Sequence, residues 1–158
     1  MSTNRTPLSG LVETLAASAT EYTAEEQRNI EIFTEFRSSG MERRREFTTD
    51  DFVRHQHGIV HIGKLNPGGS HGMTPDSIPD RVDEIVDVIA KGDRVWALWY
   101  VTGTHDGDVY GIAATGKPVR MLELGVWRFV DGKMAEAWFF ADELGLLVQL
   151  GKVTGPVR

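Results

Sequence analysis

The strongest constraint on this chain is the run of β-dense segments that fills it from residue 94 onward. Residues 94–104, 119–130 and 134–141 are crowded with Val, Trp and Tyr, and the turn-forming strings GDVYG, ATGKP and VDGK separate them. These read as three long strands, the last two joined as a hairpin at Asp131-Gly132. The segments before them carry helical patterns instead. Thr23 can cap a helix, Glu25 and Glu26 suit its positive end, and Ile30, Phe33 and Phe36 supply an apolar face up to Gly40. A second, shorter helical piece is expected over residues 41–47, and Thr49-Asp50-Asp51 then reads as a turn that delivers Phe52, Val53 and a group of histidines. Helices first and antiparallel strands afterwards predict an α+β fold in which helices cover one face of a curved sheet.

The 158 residues suit one domain with one core. Residues 1–22 read as a polar leader followed by a weak helix over 11–19, which leaves 23–158 as the domain. Residues 63–79, GKLNPGGSHGMTPDSIP, are expected to form an irregular loop of the kind that often serves as a lid or binding loop. The segment RVDEIVDVIA is ambiguous. Val82, Ile85, Val86 and Ile89 match a helix, whereas the β-branched content and the hairpin-like Lys91-Gly92-Asp93 favour a strand.

A net charge of −6 argues against nucleic acid as a partner, because a duplex-binding surface needs a basic stripe. The run Arg43-Arg44-Arg45 fits a solvated face. Cysteine is absent, so disulfides, thiolate nucleophiles and cysteine-held metals are excluded. The opening MSTNRTPLSG is polar and leads into no continuous apolar stretch. Neither a signal peptide nor a membrane span is therefore expected, and a cytoplasmic location suits the chain.

Alternation along the last strand sends Glu136, Trp138, Phe140 and Asp142 to one side, and Ala135, Ala137, Phe139 and Ala141 to the other. Two carboxylates separated by two large aromatics resemble the wall of a partly apolar ligand pocket. An acid there loses solvation when charged, so its pKa rises towards the range useful for proton transfer. The competing reading makes Asp142 an ordinary N-cap of the element at 144–150. Histidine is concentrated at His55, His57 and His61, with His71 and His105 elsewhere. No HExxH or related metal pattern is present, so a proton carrier or hydrogen-bond donor is the simpler role. No GxSxG elbow and no phosphate-cradling glycine motif occurs.

The strings GDRV, GTHDGD, ATGKPV and DGKMAEAWFFADELGLLVQLG, with residues 28–57 ahead of them, resemble the SnoaL-like polyketide cyclase family of the nuclear-transport-factor-like superfamily. The resemblance implies a cone-shaped α+β barrel of a curved, mainly antiparallel sheet packed on N-terminal helices, and it assigns PDRVDEIVDVIAKGDRV to a strand and hairpin. It also implies ring closure in a polyketide intermediate by intramolecular aldol chemistry, without metal or cofactor. On that pattern Asp142 is the acid/base, His55 lines the pocket with His57 as its rival, and His105 stands at the rim or serves structure. Glu136, Trp138, Phe140 and either Trp99 or Tyr100 would form the walls, with Tyr100 taken as the substrate-facing one of that pair.

Where family members carry a further helix, this chain has the glycine-rich GKLNPGGSHG, which reshapes the expected mouth. A homodimer is expected by resemblance. Isomerase, dehydratase, hydroxylase or epoxide-opening chemistry in the same pocket are the alternatives, the last requiring Arg128 to work with Glu136 and Asp142. A non-catalytic protein that holds a hydrophobic ligand is the further alternative.

Overall fold

The computed structural model describes residues 21–56, 58 and 76–154. The expected leader and weak helix, most of the glycine-rich loop, and His57, His61 and His71 lie outside the described residues. Helix α1 covers Ala24–Ser38 and is followed by a 3₁₀ helix, Met41–Phe47. Strands β1 (Thr48–Gln56), β2 (Val82–Lys91), β3 (Arg94–Thr104), β4 (Pro118–Val130) and β5 (Lys133–Ala141) come next, and a short helix α2 (Glu143–Gln149) closes the fold.

The start of α1 is fixed by a capping box. The Thr23 hydroxyl accepts from the Glu26 N–H at 3.2 Å while the Glu26 carboxylate accepts from the Thr23 N–H at 2.9 Å. The other Glu26 oxygen accepts from the Gly92 N–H at 2.8 Å, which ties α1 to the β2–β3 turn.

The five strands form one sheet in the order β1-β5-β4-β3-β2. Every neighbouring pair is antiparallel except β1 with β5, which is parallel. The sheet is curved but open, with β1 and β2 at its edges among the described residues, so the fold is the expected cone without the closed barrel. Its β4–β5 hairpin turns at Asp131 and Gly132, with φ of 50° and 76°; two successive positive values make the type I′ turn that the Asp-Gly pair favours.

Two segments correct or resolve the sequence reading. Residues 82–91 are a strand, and a register shift between Ile85 and Asp87 accounts for the false helical period, because an inserted residue moves the apolar set to the next parity. Thr49-Asp50-Asp51 is not a turn but part of β1. Between Thr48 and Val53 five steps on β1 match only two on β5, from Met134 to Glu136. Those polar residues therefore bulge from a strand whose ends are held in register.

The core fills the space between α1 and the inner sheet face. Phe33 packs against Trp127 with ring centroids 4.5 Å apart, Trp127 meets Trp99 at 5.4 Å, and Phe139 abuts both. Gly125 is required by this cluster, since a Cβ there would lie 2.6 Å from the Trp127 ring.

Candidate active site

Sheet alternation decides which side chains can reach a ligand. On β4, Val119, Met121, Glu123, Gly125, Trp127 and Phe129 face α1, and Glu123 is the single carboxylate in that stripe. On β5 the same face carries Ala137, Phe139 and Ala141. Ala137 is sealed in the core opposite Trp127, and Phe139, packed edge-on against both core tryptophans, is the β5 side chain that borders open space. In the parallel β1–β5 ladder Arg54 stands beside Ala137 and so joins this inner face, with Phe52 two residues before it.

These residues enclose a hollow of about 620 Å³, a volume suited to a small organic ligand. Phe36 and Arg37 of α1, with Arg44 and Arg45 of the 3₁₀ helix, form one side. Thr48, Thr49, Asp50, Phe52 and Arg54 of β1 form another, and Arg81, Tyr110, Glu123 and Phe139 complete it.

Beneath the hollow lies an ion cluster. Asp83, whose side chain is 1% exposed, accepts from Arg37 at 3.0 Å, Arg44 at 2.9 Å and Arg81 at 2.7 Å. Burial pulls the Asp83 carboxyl up, but Arg37, Arg81 and Arg44 together hold it below the usual carboxylate value. Arg37 has two guanidinium nitrogens with no hydrogen-bond partner among the described residues. The face of Trp99, 3.7 Å from the guanidinium carbon, stands in for one.

Two carboxylates line the hollow, the exposed Asp50 and the more buried Glu123 on the inner sheet face. Burial pushes the Glu123 carboxyl above the ordinary value, and Arg81 and Arg37 oppose that push without cancelling it. The nearest Arg81 nitrogen is 4.0 Å from its Oε2. Across the hollow, the Tyr110 hydroxyl donates to the buried Glu143 at 2.9 Å, and burial together with that carboxylate raises the phenol. Tyr110 holds this position on a strained backbone, with φ of 55°.

The residues expected from the sequence fall mostly elsewhere. Asp142 is exposed and caps α2, its Oδ1 accepting from the Gly145 N–H at 2.9 Å, so the N-cap reading describes its position. It is not among the residues enclosing the hollow. His55, Glu136, Trp138 and Phe140 sit on the outer sheet face, for a simple reason. His55 is the ladder partner of Trp138 and Glu136 that of Arg128, so all four share the side opposite Ala137.

There the His55 ring stacks on Trp138 at 5.1 Å, and its Nε2–H donates to Glu136 at 2.8 Å. Arg128 donates to the same carboxylate at 3.1 Å, and the two bonds, His55 first, hold the Glu136 carboxyl low. Phe140 is 60% exposed. Arg128 and Glu136 therefore pair as an epoxide-opening site would ask, but away from the hollow and without Asp142.

Tyr100 also faces outward, under the Arg120 guanidinium at 3.4 Å, and its neighbour Trp99 is the inward member of the pair. His105 is fully buried and organises the β3–β4 connection. Its Nδ1 bonds the Thr115 hydroxyl at 2.9 Å, and its carbonyl accepts from Thr115 and Gly116. Among the described residues no three His, Asp or Glu side chains converge to hold a metal.

The family model of the SnoaL-like polyketide cyclases matches residues 27–150, which takes in every element above except the first turn of α1. The chain belongs to the SnoaL-like polyketide cyclase family. Solved structures agree with that placement. AclR from Streptomyces galilaeus, described as a candidate hydroxylase, is 26% identical with a TM-score of 0.65, over 84% of this chain and 83% of that one.

IdmH from Streptomyces antibioticus, a candidate polyketide cyclase, is 25% identical with a TM-score of 0.59, over 79% and 96%. A SnoaL-like cyclase candidate from Jannaschia Sp. CCS1 shares the fold at 20% identity and a TM-score of 0.68, over 86% and 100%. No curated protein matches the chain. Within the SnoaL-like fold seen here, the inner sheet face and not the Glu136–Phe140 face borders the hollow.

Proposed function

We propose that the protein is a cyclase-type enzyme of its family, one that closes a ring in a polycarbonyl intermediate by acid/base chemistry inside the hollow, with Glu123 as the proton-transfer group. The observation that carries this reading is a carboxyl group raised by burial, on the inner sheet face, in a chamber walled by Phe36, Phe52 and Phe139.

The Glu123 carboxylate removes a proton from a carbon next to a carbonyl, and the electron pair passes to the enolate. That carbon attacks a second carbonyl of the same chain, forming the new carbon–carbon bond. The resulting alkoxide takes the proton back from Glu123, so atoms and charge balance with no co-reactant. Arg81, at 4.0 Å from Glu123, offers positive charge to the developing oxyanions. Holding the chain folded in the chamber contributes through positioning, up to about 7 kcal/mol in favourable cases.

A hydroxylase reading is favoured by one observation, the 26% identity with AclR. The two readings differ in the product: ring closure leaves its mass unchanged or lowers it by water, whereas hydroxylation adds an oxygen atom. Incubating the wild type and Glu123→Gln with a poly-β-ketone intermediate, and resolving products by chromatography and mass, tests the proposal. A ring-closed product formed by the wild type alone supports it, and equal formation by both proteins refutes it.

A further inference from the structure

The hollow carries a charge that runs against the rest of the molecule. The chain has a net charge of −6, yet the residues enclosing the hollow include five arginines, 37, 44, 45, 54 and 81, against two carboxylates, Asp50 and Glu123. Three of those guanidinium groups are already engaged, since Arg37, Arg44 and Arg81 all donate to Asp83. Arg45 and Arg54 form no ion pair among the described residues.

Arg54 is the better placed of the two. Its β5 neighbour across the parallel ladder is Ala137, too small to cover it, and its guanidinium lies over the Phe139 ring at 4.8 Å. A cation and an aromatic plane therefore meet at the wall of the chamber, a geometry that suits a flat, conjugated acid lying on Phe139 with its carboxylate on the guanidinium fork. Arg54 is exposed as a residue, yet partial burial of its guanidinium lowers its pKa, and the Glu123 charge opposes that shift without forming an ion pair.

We propose that the substrate enters as an organic anion, a carboxylate attached to a conjugated ring or polyketone body, and that Arg54 is the residue that binds the carboxylate. This rests on the reading of the hollow as the substrate chamber, but not on Glu123 being its base. The difference in engagement between the three Asp83-bound arginines and Arg54 gives the site a division of labour. The Asp83-bound group shapes the floor and stays put, while Arg54 meets the ligand.

The test is calorimetric binding of 2-naphthoate and its neutral isostere 2-naphthamide to the full chain. The wild type should bind the acid at least about tenfold more tightly, the scale of one charge-assisted hydrogen-bonded pair. Arg54→Gln should abolish that preference and Arg54→Lys should keep part of it, with circular dichroism confirming that each variant is folded. In Glu123→Gln, where a neighbouring negative charge is removed, naphthoate binding should be unchanged or tighter even if turnover is lost. Equal affinity for acid and amide in the wild type, or a preference that survives in Arg54→Gln, overturns the proposal. Either result leaves the turnover test of Glu123 standing on its own.

Discussion

Glu123 stands opposite Ala141 in the β4–β5 ladder, one residue short of Asp142, whose N–H donates to the carbonyl of Leu122 at 2.8 Å. The two acids are thus near neighbours along the same pair of strands, yet only Glu123 borders the hollow. Asp142 has left the sheet and spends its carboxylate on the first turn of α2. Proximity in the ladder and access to the chamber are separate properties here, and the proposed chemistry is assigned by access.

The pH profile of turnover should report Glu123. Burial holds the Glu123 carboxyl above its ordinary value of 4.5, and a general base works only when deprotonated. Activity as kcat/KM is expected to fall on the acid side with an apparent pKa above 4.5. Glu123→Asp should shift that limb, whereas a limb insensitive to position 123 would assign the proton to another group.

Asp83 is expected to be the most costly carboxylate to remove. With its side chain 1% exposed and Arg37 at 3%, truncating it strands a buried guanidinium without its counter-charge. Asp83→Ala should lose about 3–5 kcal/mol in urea unfolding, the usual range for breaking a buried pair from one side. A loss within the scatter of surface substitutions would mean that water solvates Arg37.

Glu26 gives the fold an acid-sensitive tie. Bonds from the Thr23 and Gly92 N–H groups hold its carboxyl down, to about 2 from 4.5. A depressed folded-state pKa contributes stability that is complete above the unfolded value and is lost as pH falls through the folded one. Glu26→Gln should therefore melt below the wild type at pH 7, and the gap should close as the pH drops from 4.5 towards 2. A gap that stays constant across that window would place the effect outside ionisation.

The outer sheet face should mediate assembly. Trp96 at 42% exposure, Leu124 at 43% and Phe140 at 60% lie on three adjacent strands, a larger apolar surface than isolated exposed side chains explain. A homodimer through this face is expected, read as a doubled mass in sedimentation at micromolar concentration. Leu124→Asp should shift the distribution towards monomer, and a wild type that sediments as monomer throughout contradicts it.

The strand run, the capped first helix and the Asp-Gly hairpin were legible because each is written in local chemistry: β-branched density, Thr23 three residues before Glu26, and a dipeptide suited to positive φ. The direction of β5 was not. Alternation separates Glu136, Trp138 and Phe140 from Ala137, Phe139 and Ala141, but it does not say which set meets the helix. The aromatic set looks like a pocket wall on composition alone.

Packing decides otherwise: Ala137 and Phe139 join the Trp99–Trp127 core, and Phe139 is the one of the six that borders the hollow. A signal for Glu123 does exist in the sequence. Along 119–129 every second residue is apolar or glycine except this one, and an isolated carboxylate in an inward stripe marks a site. Arg54 was harder to find, since β1 bulges at residues 49–52 and its parity is set by pairing with β5.

The most direct test compares turnover by two conservative variants, Glu123→Gln and Asp142→Asn. Asparagine caps a helix about as well as aspartate, so Asp142→Asn should fold normally and retain activity within a few-fold. Glu123→Gln should lose about 10²–10⁴-fold, the scale of general acid/base catalysis. If Asp142→Asn abolishes ring closure while Glu123→Gln keeps it, Glu123 is a bystander and the account is wrong.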